Sequence, residues 1–381
     1  MKLQSVLLSF SKFVRSFVLT MIAVITPFYL SGLGLSALGI GAVIVLAVVI
    51  STVFVYTFAY LKVNLRNRML LLASLFTASM AILLFSSGFY LFIVALIIGG
   101  ITLSGRDMTA NETIEKFSIS TYEPSQRSKN YAFSVYNFSS YGAGSLASLI
   151  LFIYGSGNFQ FYFLIDLVLA ALQFIPYLAI KFPEKIERES PKKFDEPTLK
   201  TVRKLSYLFA MDAFGGGLVV TSVIALWFKA VYNISLSQAG LMFVIINVVT
   251  AVSIIIASML ADRLGLIRTM VYSHIVSNFF LIMVPVFHTL LLSQIMLYLR
   301  QTTSQMDVPG RDSFINTIIP PEHRIRSNSN FLVVRNGSQV PGPGIAGLLI
   351  ETAASSVFFL GGGIKILYDI LLFVSYRNYK E

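Results

Sequence analysis

Pro183-Glu184-Lys185-Ile186-Glu187-Arg188-Glu189-Ser190-Pro191-Lys192-Lys193 is a charged, proline-interrupted run in an otherwise oily chain. A segment of this composition has little apolar surface to bury and reads as a solvated linker, set here at 182–204. It leaves two long stretches, 1–181 and 205–381, each dominated by apolar runs. Hydrophobic residues make up 56% of the 381 positions and charged ones 12%. Soluble domains carry about 25% charged residues, so lipid is the solvent for most of this chain.

A bilayer-crossing helix needs about 20 mostly apolar residues. Twelve spans fall near 11–31, 39–61, 69–87, 90–117, 131–154, 160–181, 205–231, 238–261, 270–288, 290–319, 328–351 and 354–376. The runs are too long and too uniformly apolar for the alternating strands of a membrane barrel. The apolar run after Lys12 and Arg15 is read as the first span and not as a cleavable leader. Lys62, Arg66 and Arg68, then Arg127 and Lys129, the linker, Arg263 and Arg268, Arg324 and Arg326, and finally Arg377 and Lys380 follow even-numbered spans. Segments 31–38, 86–89 and 155–159 carry no Lys or Arg, and Lys229 is the lone cation near that side. The positive-inside rule then places both termini and the linker in the cytoplasm of a multi-pass cell-membrane protein.

The two stretches repeat each other. Ser104 and Asp107 return as Ser304 and Asp307, and Gly142 and Gly144 as Gly342 and Gly344. Leu35-Ser36-Ala37-Leu38-Gly39 returns, one position further on, as Leu236-Ser237-Gln238-Ala239-Gly240. The expected architecture is therefore an all-α membrane protein of 12 transmembrane helices in two pseudo-symmetric six-helix bundles. Duplicated bundles with polar groups near the midplane mark secondary transporters.

Charge inside lipid is costly and is usually functional or paired. Such charge recurs here on every third span. Span 1 holds Lys12 and Arg15, span 4 Arg106, Asp107, Asn111, Glu112 and Glu115, span 7 Asp212, and span 10 Arg300, Gln301, Gln305, Asp307, Arg311 and Asp312. Positions three or four apart share a helix face, so Arg300, Ser304, Asp307 and Arg311 form one stripe, and Ser104, Asp107, Asn111 and Glu115 form another. Asp107 and Asp307 are the candidate ion-coupling carboxylates. Arg106, Asn111, Glu112, Arg300, Gln301, Gln305, Arg311 and Asp212 are candidates for the substrate cavity. A plain structural reading of Asp307 and Arg311 stands beside this: one turn apart, they could simply neutralise each other. Lys12 and Asp212 occupy equivalent positions with opposite charge and would suit a latch between halves or snorkelling to the interface. Asp166, His274, Lys365 and Asp369, on spans 6, 9 and 12, are expected to be peripheral and structural.

The loop Asp262-Arg263-Leu264-Gly265-Leu266-Ile267-Arg268 resembles the D-R-x-G signature of the major facilitator superfamily. Pro309-Gly310-Arg311-Asp312-Ser313-Phe314-Ile315 with Pro320-Pro321-Glu322-His323-Arg324, and Pro341-Gly342-Pro343-Gly344-Ile345-Ala346-Gly347, are similar to that family's cavity helices and Gly-Pro-rich helices. The resemblance covers essentially the whole chain. It implies gate roles for Asp262, Arg263, Gly265 and Arg268. Two departures stand out. The loop after span 2 carries Leu61 where the acid belongs, and span 5 offers Tyr141-Gly142-Ala143-Gly144 without the proline of drug–proton antiporters.

These features exclude several classes. There is no cysteine, the three histidines are scattered, and no G-x-x-x-x-G-K-[ST] loop is present, so neither an enzyme nor any cofactor or metal is expected. The formal net charge of +11 belongs to the loops and not to a nucleic-acid-binding face. The expected function is secondary active transport of a small molecule by alternating access, proton-coupled, exporting an amphiphilic compound, with the chain working as a monomer in the bilayer. An importer of an anionic metabolite, and a non-transporting sensor or scaffold, are the alternatives.

Overall fold

The computed structural model describes residues 1–85, 88–105, 110–155, 158–183, 194–264, 266–320 and 323–376, and among them all regular structure is helical. Seven of the expected spans are single helices. They are α1 (Leu3–Gly32), α2 (Ala37–Tyr60), α3 (Leu65–Phe85), α6 (Gln126–Tyr154), α11 (Leu236–Leu264), α12 (Leu266–Met283, extended by a 3-10 turn at Val284–Val286) and α17 (Ser356–Tyr376). The other five are broken. Span 4 is α4 (Phe89–Gly99) and α5 (Ala110–Tyr122), and span 6 is α7 (Phe159–Leu172) and α8 (Phe174–Ala179). Span 7 is α9 (Glu196–Gly217) and α10 (Thr221–Tyr232), span 10 is α13 (Leu290–Thr303) and α14 (Asp307–Ile318), and span 11 is α15 (Arg324–Gln339) and α16 (Gly342–Ala353). Eight helical runs among the described residues are long and apolar enough to cross a membrane.

Each break has a local cause. Pro176 has no N–H to offer the Leu172 carbonyl, which parts α7 from α8. Pro309 falls in the first turn of α14, where proline is tolerated, but proline has no N–H with which to continue the α13 ladder to the Gln305 carbonyl. Pro341 and Pro343 act likewise at the start of α16. The α9–α10 break follows Gly215-Gly216-Gly217, with Val220 already extended.

The break in span 4 shows how open backbone survives at membrane depth. Gly100 ends α4 in the left-handed region at φ 57°, which an L side chain rarely adopts. The freed carbonyls beyond it find partners on α10. Ser222 Oγ donates to the Leu103 carbonyl at 2.7 Å, and the Thr221 N–H donates to the Ser104 carbonyl at 3.4 Å. Irregular backbone is tolerable in lipid only when it is satisfied inside the protein.

The chain forms two compact units, one of residues 1–186 with 220–247, the other of residues 187–219 with 248–381. In the first, α1 is central: it is buried along most of its length and packs on α5, α6, α7 and α10. α2 is placed outward, with Leu46, Val49, Val53 and Tyr56 exposed, as a lipid-facing helix requires. In the second unit, α9 packs on α15 and α17, and α12 packs on α13, α14 and α17. Val202, Leu205, Phe209, Met270, Phe314 and Tyr368 form its core.

The matched serines of the internal repeat play different parts. Ser36 caps α2 by accepting the Gly39 N–H. Ser237 lies inside α11 and donates to the Phe152 carbonyl at 2.6 Å. The cap of α11 is Ser235, whose hydroxyl accepts the Gln238 N–H while Gln238 Oε1 accepts the Ser235 N–H, a reciprocal capping box.

The repeated glycines also diverge. A Cβ on Gly342 would lie 2.6 Å from Gly217 Cα, so α16 and α9 meet backbone to backbone within the second unit. A Cβ on Gly144 would meet the Asn247 amide at 3.0 Å within the first, whereas Gly142 has open space around it. Gly342→Leu is therefore expected to destabilise by about 1–3 kcal/mol through overpacking. Gly142→Ala is expected to be neutral or stabilising by about 0.5–1 kcal/mol through helix propensity. Thermal unfolding of the two purified variants in detergent checks the contrast.

Glu123, in the turn between α5 and α6, ties down the start of α1. It accepts the Lys2 N–H at 2.8 Å and the Ser5 hydroxyl at 2.7 Å. Burial alone would push its carboxyl up, but these bonds, one from Ser128, and the N-terminal charge outweigh burial and hold it below the ordinary carboxylate value. A depressed carboxyl stabilises above its unfolded pKa and loses that contribution as pH falls through the folded one. Amide exchange at Ser5 and Val6 should therefore stay slow at neutral pH and quicken only below the usual carboxylate range. Glu123→Gln should remove the acid step.

Candidate functional site

In the first unit, helical spacing sets a cationic stripe against an anionic one. Ser11, Lys12 and Arg15 share a face of α1, and Asn111, Glu112 and Glu115 share a face of α5. Arg15 and Glu115 meet as a two-pronged pair, with Nη2 to Oε2 at 2.6 Å and Nη1 to Oε1 at 3.0 Å. Both are buried, Glu115 completely. The phenols complete the cage: Tyr136 donates to Glu115 Oε2 at 2.6 Å, and Tyr177 donates to Oε1 at 2.7 Å. Tyr177 in turn accepts from Ser11 at 2.6 Å, from Arg15 at 2.9 Å and from Asn111 at 3.2 Å. Lys12 lies 3.6 Å from Glu112 and 5.0 Å above the Tyr136 ring, and Lys116 takes the same Glu112 oxygen at 2.7 Å.

The second unit repeats the scheme with the signs exchanged, the acid on the first helix of the half and the cation on the fourth span. Asp212 on α9 accepts Lys365 Nζ of α17 at 2.5 Å and lies 3.8 Å from Arg311 of α14. Arg311 holds Asp307 at 2.9 Å, one turn back on its own helix. His274 on α12 joins the set from the other side. Its Nδ1 lies 2.7 Å from Asp369 of α17, and its Nε2 lies 3.4 Å from Lys365 and 3.7 Å from Asp212. Asn278, one turn along α12, donates to Asp369 at 3.3 Å. Arg335 interacts electrostatically with Arg311, Asp212 and Asp307. Three carboxylates, two cations and one imidazole thus share one buried network across α9, α12, α14 and α17.

Asp212, Asp307 and Arg311 come together here, as do Asn111 and Glu112 in the first unit. Arg300, Gln301 and Gln305 gather separately, where span 10 breaks. Arg300 donates to Gln301 Oε1 at 2.9 Å, Ser304 donates to the same oxygen at 2.7 Å, and Gln305 bonds the Ser304 carbonyl at 3.0 Å. The break interrupts the stripe expected from Arg300 through Arg311. Lys12 and Asp212 each have ion-pair partners inside their own unit. Arg106, Asp107 and Gly265 lie outside the described residues, as do the side chains of Asp262, Arg263 and Asp312, and Arg268 is exposed.

His274, Lys365 and Asp369 are not peripheral as expected: they are buried in the same network as Asp212. The reason is packing, since α12 and α17 lie against each other and α17 lies against α9. A signal was present in the spacing. His274 with Asn278, and Lys365 with Asp369, are polar pairs one turn apart on otherwise apolar helices. Tyr136 and Tyr177 carried no such signal among the chain's 18 tyrosines.

A sequence profile of the Major Facilitator Superfamily matches residues 8–299 and 205–381. An uncharacterised membrane protein of Saccharomyces cerevisiae is 25% identical over 186 residues, 48% of this chain and 42% of that protein, so the chain spans less than half of that relative's length. Among solved structures, a mutant of the nucleoside transporter NupG superposes with a TM-score of 0.76 at 12% identity, covering 98% of this chain and 100% of that one. A D-xylose–proton symporter gives 0.75 at 12% identity over 97% and 96%. The human organic anion transporter MFSD10 gives 0.70 at 15% identity over 98% and 100%. At these identities the likeness is one of fold.

The buried Arg15–Glu115 pair makes a direct prediction. Glu115→Gln or Arg15→Met alone leaves an uncompensated buried charge and should cost about 3–5 kcal/mol. Replacing both with apolar residues should recover much of that loss. Unfolding of the two single variants and the double variant, as a mutant cycle, measures the coupling.

Proposed function

The chain belongs to the Major Facilitator Superfamily, and from that premise we propose that it is a proton-coupled secondary active transporter that exports an amphiphilic small molecule from the cell. The observation that carries the reading is the network of Asp212, His274, Asp307, Arg311, Lys365 and Asp369. Its acids and bases are in close contact in a low-dielectric interior, so adding one proton must rearrange the pairing. A proton on Asp307 releases Arg311 of α14 from that carboxylate. Arg311 is then left to Asp212 on α9, where it competes with Lys365 of α17, and Lys365 turns toward His274 on α12. A change of one charge thereby alters the contacts of α9, α12, α14 and α17 together, which is what coupling an ion to a helix movement requires.

Asp307 is the coupling carboxylate within this network, and Asp107 is its proposed counterpart in the first half. Alternating access would use 1–181 and 205–381 as the moving halves and 182–204 as a cytoplasmic linker, in the cell membrane with both termini inside. Asp262, Arg263, Gly265 and Arg268 would gate the cytoplasmic side. The pairing of Arg15 with Glu115 and of Arg311 with Asp307 supports arginines that tune acids and not receptors for an anionic cargo. The aromatic content of 13% supports an amphiphilic cargo. One observation favours the import of an anionic metabolite instead: Arg300, Gln301, Ser304 and Gln305 gather several donors at the break in span 10.

Reconstituted vesicles with an imposed pH gradient test the reading. Asp307→Asn, Asp107→Asn and His274→Gln should reduce proton-driven flux to that of protein-free vesicles while solute counterflow continues. Undiminished proton-driven flux in Asp307→Asn and His274→Gln would remove the network from coupling. Accumulation driven inward, against the expected direction, would favour the import reading.

A further inference from the structure

Asp166 lies in the middle of α7, fully buried, and neither carboxyl oxygen has a hydrogen-bond partner. Of the buried acids described in the first unit, Glu115 is caged with Arg15 and Glu123 is bonded by Lys2 and Ser5, which leaves Asp166. Tyr162, Phe163, Asp166, Ala170, Gln173 and Tyr177 make up the buried stripe of α7 and α8. Gln173, two turns from Asp166 on that stripe, is also fully buried, and neither its Oε1 nor its Nε2 is paired. Isolated unsatisfied groups occur in most proteins, but two on one helix face, one of them an acid, require an account.

The elements packed most closely on α7 are α1, α3 and α8, and the end of α6 touches it through Tyr154, whose carbonyl accepts from the Tyr162 hydroxyl and whose ring meets Phe161. Their titratable and charged side chains are engaged elsewhere. On α1, Lys12 and Arg15 face Glu112 and Glu115, and the Tyr29 hydroxyl accepts the Gly88 N–H at 3.1 Å while its ring packs on Phe159 and Phe163. On α3, Arg66 donates to the Leu178 carbonyl at 3.1 Å, and Arg68 donates to the carbonyls of Leu61 and Val63. On α8, Tyr177 is held by Glu115 and Arg15. No described cation pairs with Asp166.

An ionised carboxylate in such a place costs far more than a neutral acid, because charge, unlike a lost hydrogen bond, has no cheap state in an apolar interior. Only two chemistries relieve it: a bound metal cation or a proton. A hard cation needs several oxygen ligands around one point. Gln173 is the next polar side chain along the stripe, and seven residues of helix place it about 10 Å away, too far to share an ion. We propose that Asp166 is a proton-binding site, neutral while α7 is packed on α1 and α3, and distinct from the two ion-paired networks. Holding the proton keeps this seam closed, and losing it places a bare charge there and favours a seam open to water. The proposal does not depend on the transport reading and survives its failure.

The test is reversible unfolding of the full chain in mixed micelles across pH, comparing wild type with Asp166→Asn and Asp166→Leu. Asn imitates the neutral acid, and Leu removes the polar group at similar volume should Asn fold poorly. A proton held in the folded state and released on unfolding makes wild-type stability, relative to either variant, fall with rising pH. The expected slope is about tenfold in the folding constant per pH unit between the ordinary Asp range and the pH at which the folded protein loses the proton. Parallel profiles for wild type and both variants would overturn the proposal, because Asp166 would then be ionised in the folded protein as well. A second arm holds pH fixed and titrates sodium, potassium and lithium chloride at constant ionic strength. Selective stabilisation of wild type by one of these cations would also overturn it, in favour of a metal site.

Discussion

The hydrocarbon core of a bilayer offers no water, and every polar group placed there must find its partner within the protein. That constraint organises this molecule at each level. It makes the spans helical. It confines the broken backbone after Gly100 to a place where α10 supplies donors, through Ser222 and Thr221. It also binds the charges of α1, α5, α9, α14 and α17 into networks, since a lone charge would be expelled or neutralised.

The two networks obey this rule in different ways. Around Glu115, two phenols, an arginine, a serine and an asparagine interlock, and both carboxylate oxygens are saturated. Such a cage resists change, because every bond lost leaves another group unpaired. Around Asp212 the geometry is looser. Several contacts fall between 3.4 and 3.8 Å, and acids and bases alternate along a chain from Asp369 to Asp307. A network of that kind has more than one acceptable pairing. The first network is thus tightly interlocked and the second more loosely paired, although the two halves carry one repeated sequence pattern.

The repeat itself shows how far duplicated sequence can part in use. Gly342 permits a backbone contact with α9, while its counterpart Gly142 stands in open space. Ser36 caps a helix, while the matching Ser237 bonds a neighbouring carbonyl. The sign of the charge on the first helix is reversed between the halves, from Lys12 to Asp212, and the partners on the fourth spans, Glu112 and Arg311, are reversed with it. Charge complementarity between first and fourth spans is retained, and the identity of the residues is not.

Much of this was legible in the sequence alone. The length of the apolar runs, the placement of Lys and Arg in alternate loops, and the charged linker determine a polytopic helical protein, because lipid thickness and the cost of moving charge through it depend only on local composition. The polar load on spans 1, 4, 7 and 10 pointed to Asp212, Asp307 and Arg311 for the same reason. Only the tertiary structure decided which charges meet. His274, Lys365 and Asp369 join Asp212 because α12 and α17 pack against each other and α17 packs on α9, and Tyr136 and Tyr177 close on Glu115 because α6 and α8 carry them there. Helical periodicity states which face a residue occupies on its own helix. The neighbour that face will meet is set by packing among segments far apart in the chain, and no local pattern encodes it.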